Sequence, residues 1–171
     1  ALMERGLILK KGTIVDSTII SAPSSTKNKE KKRDPDAHQV KKGNTWHFGY
    51  KAHIGVDRDS GLVHTVEATA ANVHDATETS KLLTGDEDEV YGDSGYLGAE
   101  KRGDAIIRNK AGRKIKYRIN RRPSQVKKLS KSGQYAAKKA EHTKSSVRAK
   151  VEHAFGVVKK QLRFRKTRYR G

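Results

Sequence analysis

Hydrophobic and polar positions alternate most cleanly after His47. Phe48, Tyr50, Ala52, Ile54 and Val56 fall on one face; His47, Gly49, Lys51, His53 and Gly55 fall on the other. A period of two predicts a strand. The turn residues Asp57-Arg58-Asp59-Ser60-Gly61 and a second β-rich run from Leu62 to Ala70 extend it into a hairpin. Upstream, the β-branched run from Thr13 to Ile20 predicts a short buried strand with Asp16 inside it. Glu89 to Asp93 predicts another strand, ending at a glycine turn, and Ile115 to Ile119 a weak last one. A helix is expected from Asn72-Val73-His74-Asp75 to about Leu83, with the Asp75 charge meeting the helix dipole. A brief helix is expected near Ala99, and two longer ones over 124–141 and 144–162. Residues 24–45 are polar, charged and punctuated by Pro and Gly, and predict a long loop.

The resulting order is strand, two-stranded hairpin, helix, strand, helix, strand, helices. It predicts an α/β domain with a mixed sheet flanked by helices. A ribonuclease-H-like architecture, three antiparallel strands followed by alternating helices and strands, has this order, as do several other α/β folds. At 171 residues the chain fits one domain. The expected division is a remnant of an upstream region over 1–12, the domain over 13–162, and a loose basic tail over 163–171. This reads as a fragment.

Composition narrows the class. Only 33% of residues are hydrophobic, and there is no cysteine, which excludes disulfides and thiolate zinc sites and fits a reducing cytoplasm. No apolar run approaches the ~18 residues of a membrane span. The net charge of +19 is divided unevenly: residues 1–100 hold 13 Lys/Arg and 16 Asp/Glu, whereas residues 101–171 hold 25 and 3. An acidic half joined to a basic half suits an enzyme acting on nucleic acid. On charge alone, a purely structural nucleic-acid binder fits equally well.

Three carboxylates carry the candidate chemistry. An aspartate inside an apolar strand is costly unless compensated, so Asp16 needs a metal, a buried arginine or a hydrogen-bonded turn. Asp93 lies at the end of a strand before a glycine turn, the edge where α/β sheets place ligands. Glu152 sits on a basic helical stretch. There Arg148, Glu152 and Lys159 share one stripe at about 100° per residue, so one helix can offer an acid to a metal and cations to phosphates. Taken alone, an ordinary i,i+4 surface pair accounts better for Arg148 and Glu152. Magnesium suits two carboxylates plus phosphate and water, and the chemistry that follows is two-metal phosphoryl transfer. The seven histidines include no His-Glu-x-x-His, and neither a phosphate loop nor a Gly-x-Ser-x-Gly elbow is present. His74 and Asp75 are candidates to line the cleft, with capping and packing as the alternative. Trp46 is open to either base contact or packing, whereas Tyr50 belongs to the core.

Several blocks resemble bacterial insertion-sequence transposases of the insertion-sequence-five group. They are Val15-Asp16-Ser17-Thr18-Ile19-Ile20-Ser21-Ala22-Pro23-Ser24-Ser25-Thr26-Lys27-Asn28, Arg33-Asp34-Pro35-Asp36, Lys41-Lys42-Gly43-Asn44, Lys51-Ala52-His53-Ile54-Gly55-Val56-Asp57, Ala70-Ala71-Asn72-Val73-His74-Asp75, Gly92-Asp93-Ser94-Gly95-Tyr96 and Arg148-Ala149-Lys150-Val151-Glu152-His153. The resemblance implies a ribonuclease-H-like DDE catalytic domain that cuts transposon ends and joins their 3′-hydroxyls to target DNA. It implies Asp16, Asp93 and Glu152 as catalytic and metal-holding acids, with Mg²⁺ as cofactor and Mn²⁺ able to substitute. Arg148, Lys150, Lys159 and Lys160 would contact DNA. The family signature Tyr-x2-Arg-x3-Glu-x6-Lys is met by Arg148, Glu152 and Lys159, but Ser145 stands in the tyrosine position. The resemblance also implies terminal inverted repeats and target DNA as partners, a homodimer on DNA, no membrane association, and a bacterial cytoplasm with the nucleoid as the site of action. The alternatives are a nuclease of the same fold without strand transfer and a non-catalytic nucleic-acid-binding remnant.

Overall fold

A central strand built from the Asp16 run organises the molecule. In the computed structural model, which describes residues 4–9, 11–27 and 29–167, strand β1 spans Gly12–Ser21. Its β-branched side chains bury Ile14 and Ile20 on one face and Thr13 and Val15 on the other. The short strand β2 covers His38–Lys42, the long strand β3 covers Thr45–Asp57, and β4 covers Val63–Ala70. Strand β5 is Glu89–Gly92 and β6 is Lys116–Ile119.

Strand β3 runs antiparallel to β1, with Thr13 opposite Asp57 and Ser21 opposite Gly49. Its other edge carries β2 against Thr45–Gly49 and β4 against Tyr50–Val56, both antiparallel. On the far side of β1, β5 and then β6 are added in parallel. Four antiparallel strands therefore lead into a parallel half, in the order β2-β3-β1-β5-β6 with β4 also on β3. The fold is the ribonuclease-H-like mixed sheet that the element order predicts.

Each sheet face has its own core. Val15, Val90, Ile119 and Ile115 pack with Leu82, Leu83 and Tyr96. On the opposite face Ile14, Ile54 and Val56 receive Val151. Burying such side chains contributes about 1.5–3 kcal/mol each. Val151 belongs to helix α3, Lys150–Gly156, which follows α1 (Pro123–Lys127) and α2 (Lys131–Arg148). A π-helical turn, Val157–Gln161, continues α3.

Four expectations need correction. The polar stretch 24–45 contains strand β2. It is an exposed edge strand with Val40 as its one apolar residue, held by its ladder to β3 rather than by burial. The helix expected to Leu83 is two 3₁₀ turns, Asp75–Thr77 and Thr79–Leu82. Thr77 Oγ1 donates to His74 O and Thr79 Oγ1 to Ala76 O, so threonine hydroxyls take carbonyls that a continuing α-helix would use. The C-terminal helices divide at Leu129-Ser130 and at Ala149, not near residue 142. Ser130 Oγ caps α2 by accepting from Gly133 N. Finally, the start of the basic tail is docked: Ser21 N donates to Arg165 O, and Thr167 N to Ser21 O. The tail residues 168–171 and the first three residues lie outside the described set.

Candidate active site

The parallel pairing of β1 and β5 aligns two of the candidate acids. Its register sets Gly12 level with Glu89 and Ile14 level with Tyr91. Two residues further along each strand, Asp16 comes level with Asp93. Strand β5 has ended at Gly92, so β1 has an open edge here, and Asp16 and Asp93 line one cleft of about 190 Å³ with Ser17, Ile19, Lys51 and Asp75. Lys41 and Lys42 of β2 close its outer side.

Asp16 is held from two directions. Its Oδ1 accepts from Ser17 N at 2.8 Å, and its Oδ2 accepts from Arg148 Nη2 at 3.2 Å. Arg148 also reaches Asn120 Oδ1 at 3.4 Å. Burial pushes the Asp16 carboxyl above the usual carboxylate range, the Asp93 charge adds to that push, and the Arg148 guanidinium only partly offsets it. Asp93 Oδ1 accepts from Gly95 N at 2.8 Å and so caps the 3₁₀ turn Ser94–Tyr96. A Cβ on Gly95 would lie 2.9 Å from Asp93 Oδ1 and 3.3 Å from Asp75 Oδ2, so glycine keeps the space between those two carboxylates open.

Asp75 lines the cleft and sits in the first 3₁₀ turn, but it does not cap that turn. His74 does that, accepting from Ala76 N through Nδ1 at 3.2 Å. His74 itself is exposed. Asp75 Oδ1 instead accepts from Ser17 Oγ at 2.9 Å and from Lys51 Nζ at 3.0 Å, with His53 Nδ1 3.7 Å away.

Glu152 is placed apart from the two aspartates. It is exposed and lines a separate cleft with Ala149, His153, Gly156, Val157, Lys160 and Gln161. Among the described residues no three His, Cys, Asp or Glu side chains form a ready-made metal cage. The other helical cations divide. Lys150 Nζ donates to Arg58 O at 2.8 Å and Asp59 O at 3.1 Å, so its ammonium ties α3 to the β3–β4 turn. Lys159 is lowered from the usual lysine range, first by burial and then by the like charges of Lys42 and Arg165. Lys160 is exposed beside Glu152. Ser17, Lys51, Lys41 and Lys42 were not marked as site residues by the sequence. Ser17 follows Asp16 directly, so adjacency was its signal; the three lysines lie in the blocks quoted above, and membership of those blocks was theirs.

Three buried side-chain atoms lack a hydrogen-bond partner among the described residues: His53 Nδ1, Tyr96 Oη and Arg148 Nε. Each neighbours the cleft's acids rather than lining the cleft itself. His53 faces Asp75, Arg148 holds Asp16, and the charges of Asp75, Asp16 and Asp93 reinforce the burial that raises the Tyr96 hydroxyl far above its ordinary value. Orphaned buried polar atoms around facing carboxylates mark a place for water or an ion. The carboxylate oxygens of Asp16 and Asp93, which line the cleft, fit a hard divalent cation that retains much of its water.

No solved structure gives a significant match to this chain. The family described as "Transposase DDE domain" matches residues 8–171, taking in both aspartates, Glu152 and every element of the sheet. That family acts on DNA in transposition and generally uses divalent metals. None of the helices among the described residues is long and apolar enough to cross a membrane. By the extent of that match, the chain belongs to the DDE transposase domain family.

Proposed function

We propose that this domain cleaves DNA at insertion-sequence ends and transfers the freed 3′-hydroxyl into target DNA, with Asp16, Asp93 and Glu152 as its catalytic acids. The observation that carries the reading is the alignment of Asp16 and Asp93 at neighbouring strand positions, lining one cleft. Asp16 and Asp93 would hold Mg²⁺, or Mn²⁺ in its place, from adjacent strands. When bound, such ions would supply Lewis acidity to the attacking water or 3′-hydroxyl and to the leaving oxygen.

The residues of the chain do the positioning. Arg148 spans Asn120 and Asp16 in the resting protein, and its planar fork suits a phosphate equally well. Exchange of Asp16 for a backbone phosphate would free the carboxylate. Lys159 on the π-helical turn, with Lys41 and Lys42 on the β2–β3 hairpin, forms the phosphate grip around the cleft, and Lys160 extends it beside Glu152. Trp46 on that hairpin is 64% exposed and adjoins it. We take terminal inverted repeats as the bound DNA, a homodimer as the form that pairs two ends, and the bacterial nucleoid as the setting.

A second reading is favoured by one observation, the placement of Glu152 in its own cleft: a degenerate domain that binds DNA without cutting it. Incubation with a labelled terminal-repeat duplex and Mg²⁺ or Mn²⁺ separates these. Nicks with joined products support the transposase, and nicks alone indicate a nuclease of the same fold. Salt-sensitive binding without cleavage, unchanged by Asp93→Ala, indicates the binder.

A further inference from the structure

The placement of Asp75 is not explained by its own turn. Its local backbone is capped by His74, and its polar contacts come from β1 and β3: Ser17, Lys51 and, at longer range, His53. Those contacts converge on Oδ1. The other oxygen, Oδ2, faces the space over Gly95 that Asp93 Oδ1 borders from the opposite side. Lys51 is itself anchored by Val73 O at 2.7 Å, so it stays in position whether or not Asp75 carries a charge. His53, fully buried, brings an unpartnered Nδ1 to the same carboxylate, and the unpartnered Tyr96 hydroxyl lies within the field of all three aspartates.

We propose that Asp75 is a positioning residue of the cleft: it does not hold the divalent cation but supplies a third negative charge that sets how tightly Asp16 and Asp93 hold it. This rests on the reading of Asp16 and Asp93 as the metal-holding pair. Two carboxylates alone carry two negative charges, and Arg148 offsets one of them. Asp75 restores the deficit, and Lys51 moderates it, so the two residues act on cation affinity in opposite directions. A purely structural Ser17–Asp75–Lys51 network has no such sign difference, because loss of either partner would loosen the cleft alike.

The test is calorimetric titration of Mn²⁺ into the full chain, with melting curves taken without cation. Asp75→Asn keeps an oxygen for Ser17 and Lys51 but removes the charge, and is expected to weaken Mn²⁺ binding about 10- to 100-fold, as loss of outer partners does at metal sites. Asp75→Glu restores most of the affinity. Lys51→Gln is expected to tighten binding severalfold. The proposal is overturned if Asp75→Asn binds Mn²⁺ within twofold of the parent, or if Lys51→Gln weakens binding in parallel with it. Asp93→Asn tests the underlying reading separately: Mn²⁺ affinity equal to the parent's in that variant removes the metal site itself.

Discussion

Arg148 and Asp16, 132 residues apart in sequence, form an ion pair with Nη2 and Oδ2 3.2 Å apart, each side chain about one-fifth exposed. The pair joins the last residue of α2 to the middle of the central strand. It also answers the problem set by an aspartate in an apolar strand, since the guanidinium compensates a carboxylate that burial disfavours. Arg148→Ala leaves that carboxylate with one hydrogen bond, from Ser17 N. The expected loss is about 1–2 kcal/mol, below the range for fully buried pairs because both groups keep some solvent. Thermal melts should fall by roughly 2–8 °C for a chain of this size. In the Asp16→Asn background the same substitution should cost much less, and equal costs in both backgrounds would show that the pair is not coupled.

Glu152 separates chemistry from stability. Its side chain is exposed, and exposed substitutions away from special features usually fall within about 0.5 kcal/mol. Glu152→Gln is therefore expected to melt with the parent while losing at least a hundredfold in cleavage of a terminal-repeat duplex. Full cleavage by the variant would remove Glu152 from the catalytic set.

How much of this was legible follows from what each signal depends on. The ladder of β1, β3 and β4 was readable because Val56, Ile54, Ile14 and their neighbours must be buried in a fixed period. The alignment of Asp16 with Asp93 needs the parallel register of β1 and β5, which strand order alone does not carry. β2 was hidden because His38, Gln39, Lys41 and Lys42 look like loop, and only the ladder to Thr45–Gly49 makes them a strand. The shared stripe of Arg148, Glu152 and Lys159 assumed one straight α-helix. The break at Ala149 and the wider π turn over Val157–Gln161 change the bearing between them. Arg148 therefore points to Asp16 while Glu152 opens on another cleft. That break depends on Val151 entering the core beside Ile14, a tertiary contact that helical periodicity does not carry.

Two histidines give the fold a pH dependence. His53 and His64 are both lowered from the usual histidine value, first by burial, with Asp75 opposing at His53 and Glu87 opposing at His64. The native state thus holds them neutral where the unfolded chain takes up protons. Stability from this source is present above pH about 6.5 and is lost as pH falls through the lower folded values. Urea titrations between pH 8 and 5 should show stability declining on acidification, with a slope below one proton per ring. His64 accepts or donates through Nε2 with Thr13 Oγ1 and through Nδ1 with Thr65 Oγ1. His64→Gln should flatten the slope, and an unchanged slope would place the titration elsewhere.

Salt dependence distinguishes the cations that grip DNA from those that hold the fold. If 6–10 phosphates are contacted, affinity for duplex DNA should fall about 10³–10⁵-fold between 50 and 200 mM salt. Lys41 and Lys42 are exposed at the mouth of the cleft. Replacing both with alanine should lower the slope of log affinity against log salt by about 1.8, two phosphates' worth of released counterions. Lys150 is also exposed and lies close to Glu152 in sequence, yet its ammonium is bonded to Arg58 O and Asp59 O. Lys150→Ala is accordingly expected to leave the salt slope unchanged and to lower the melting temperature slightly, by loosening α3 from the β3–β4 turn. A slope reduced by about one in Lys150→Ala, with melting unaltered, would assign that lysine to DNA instead.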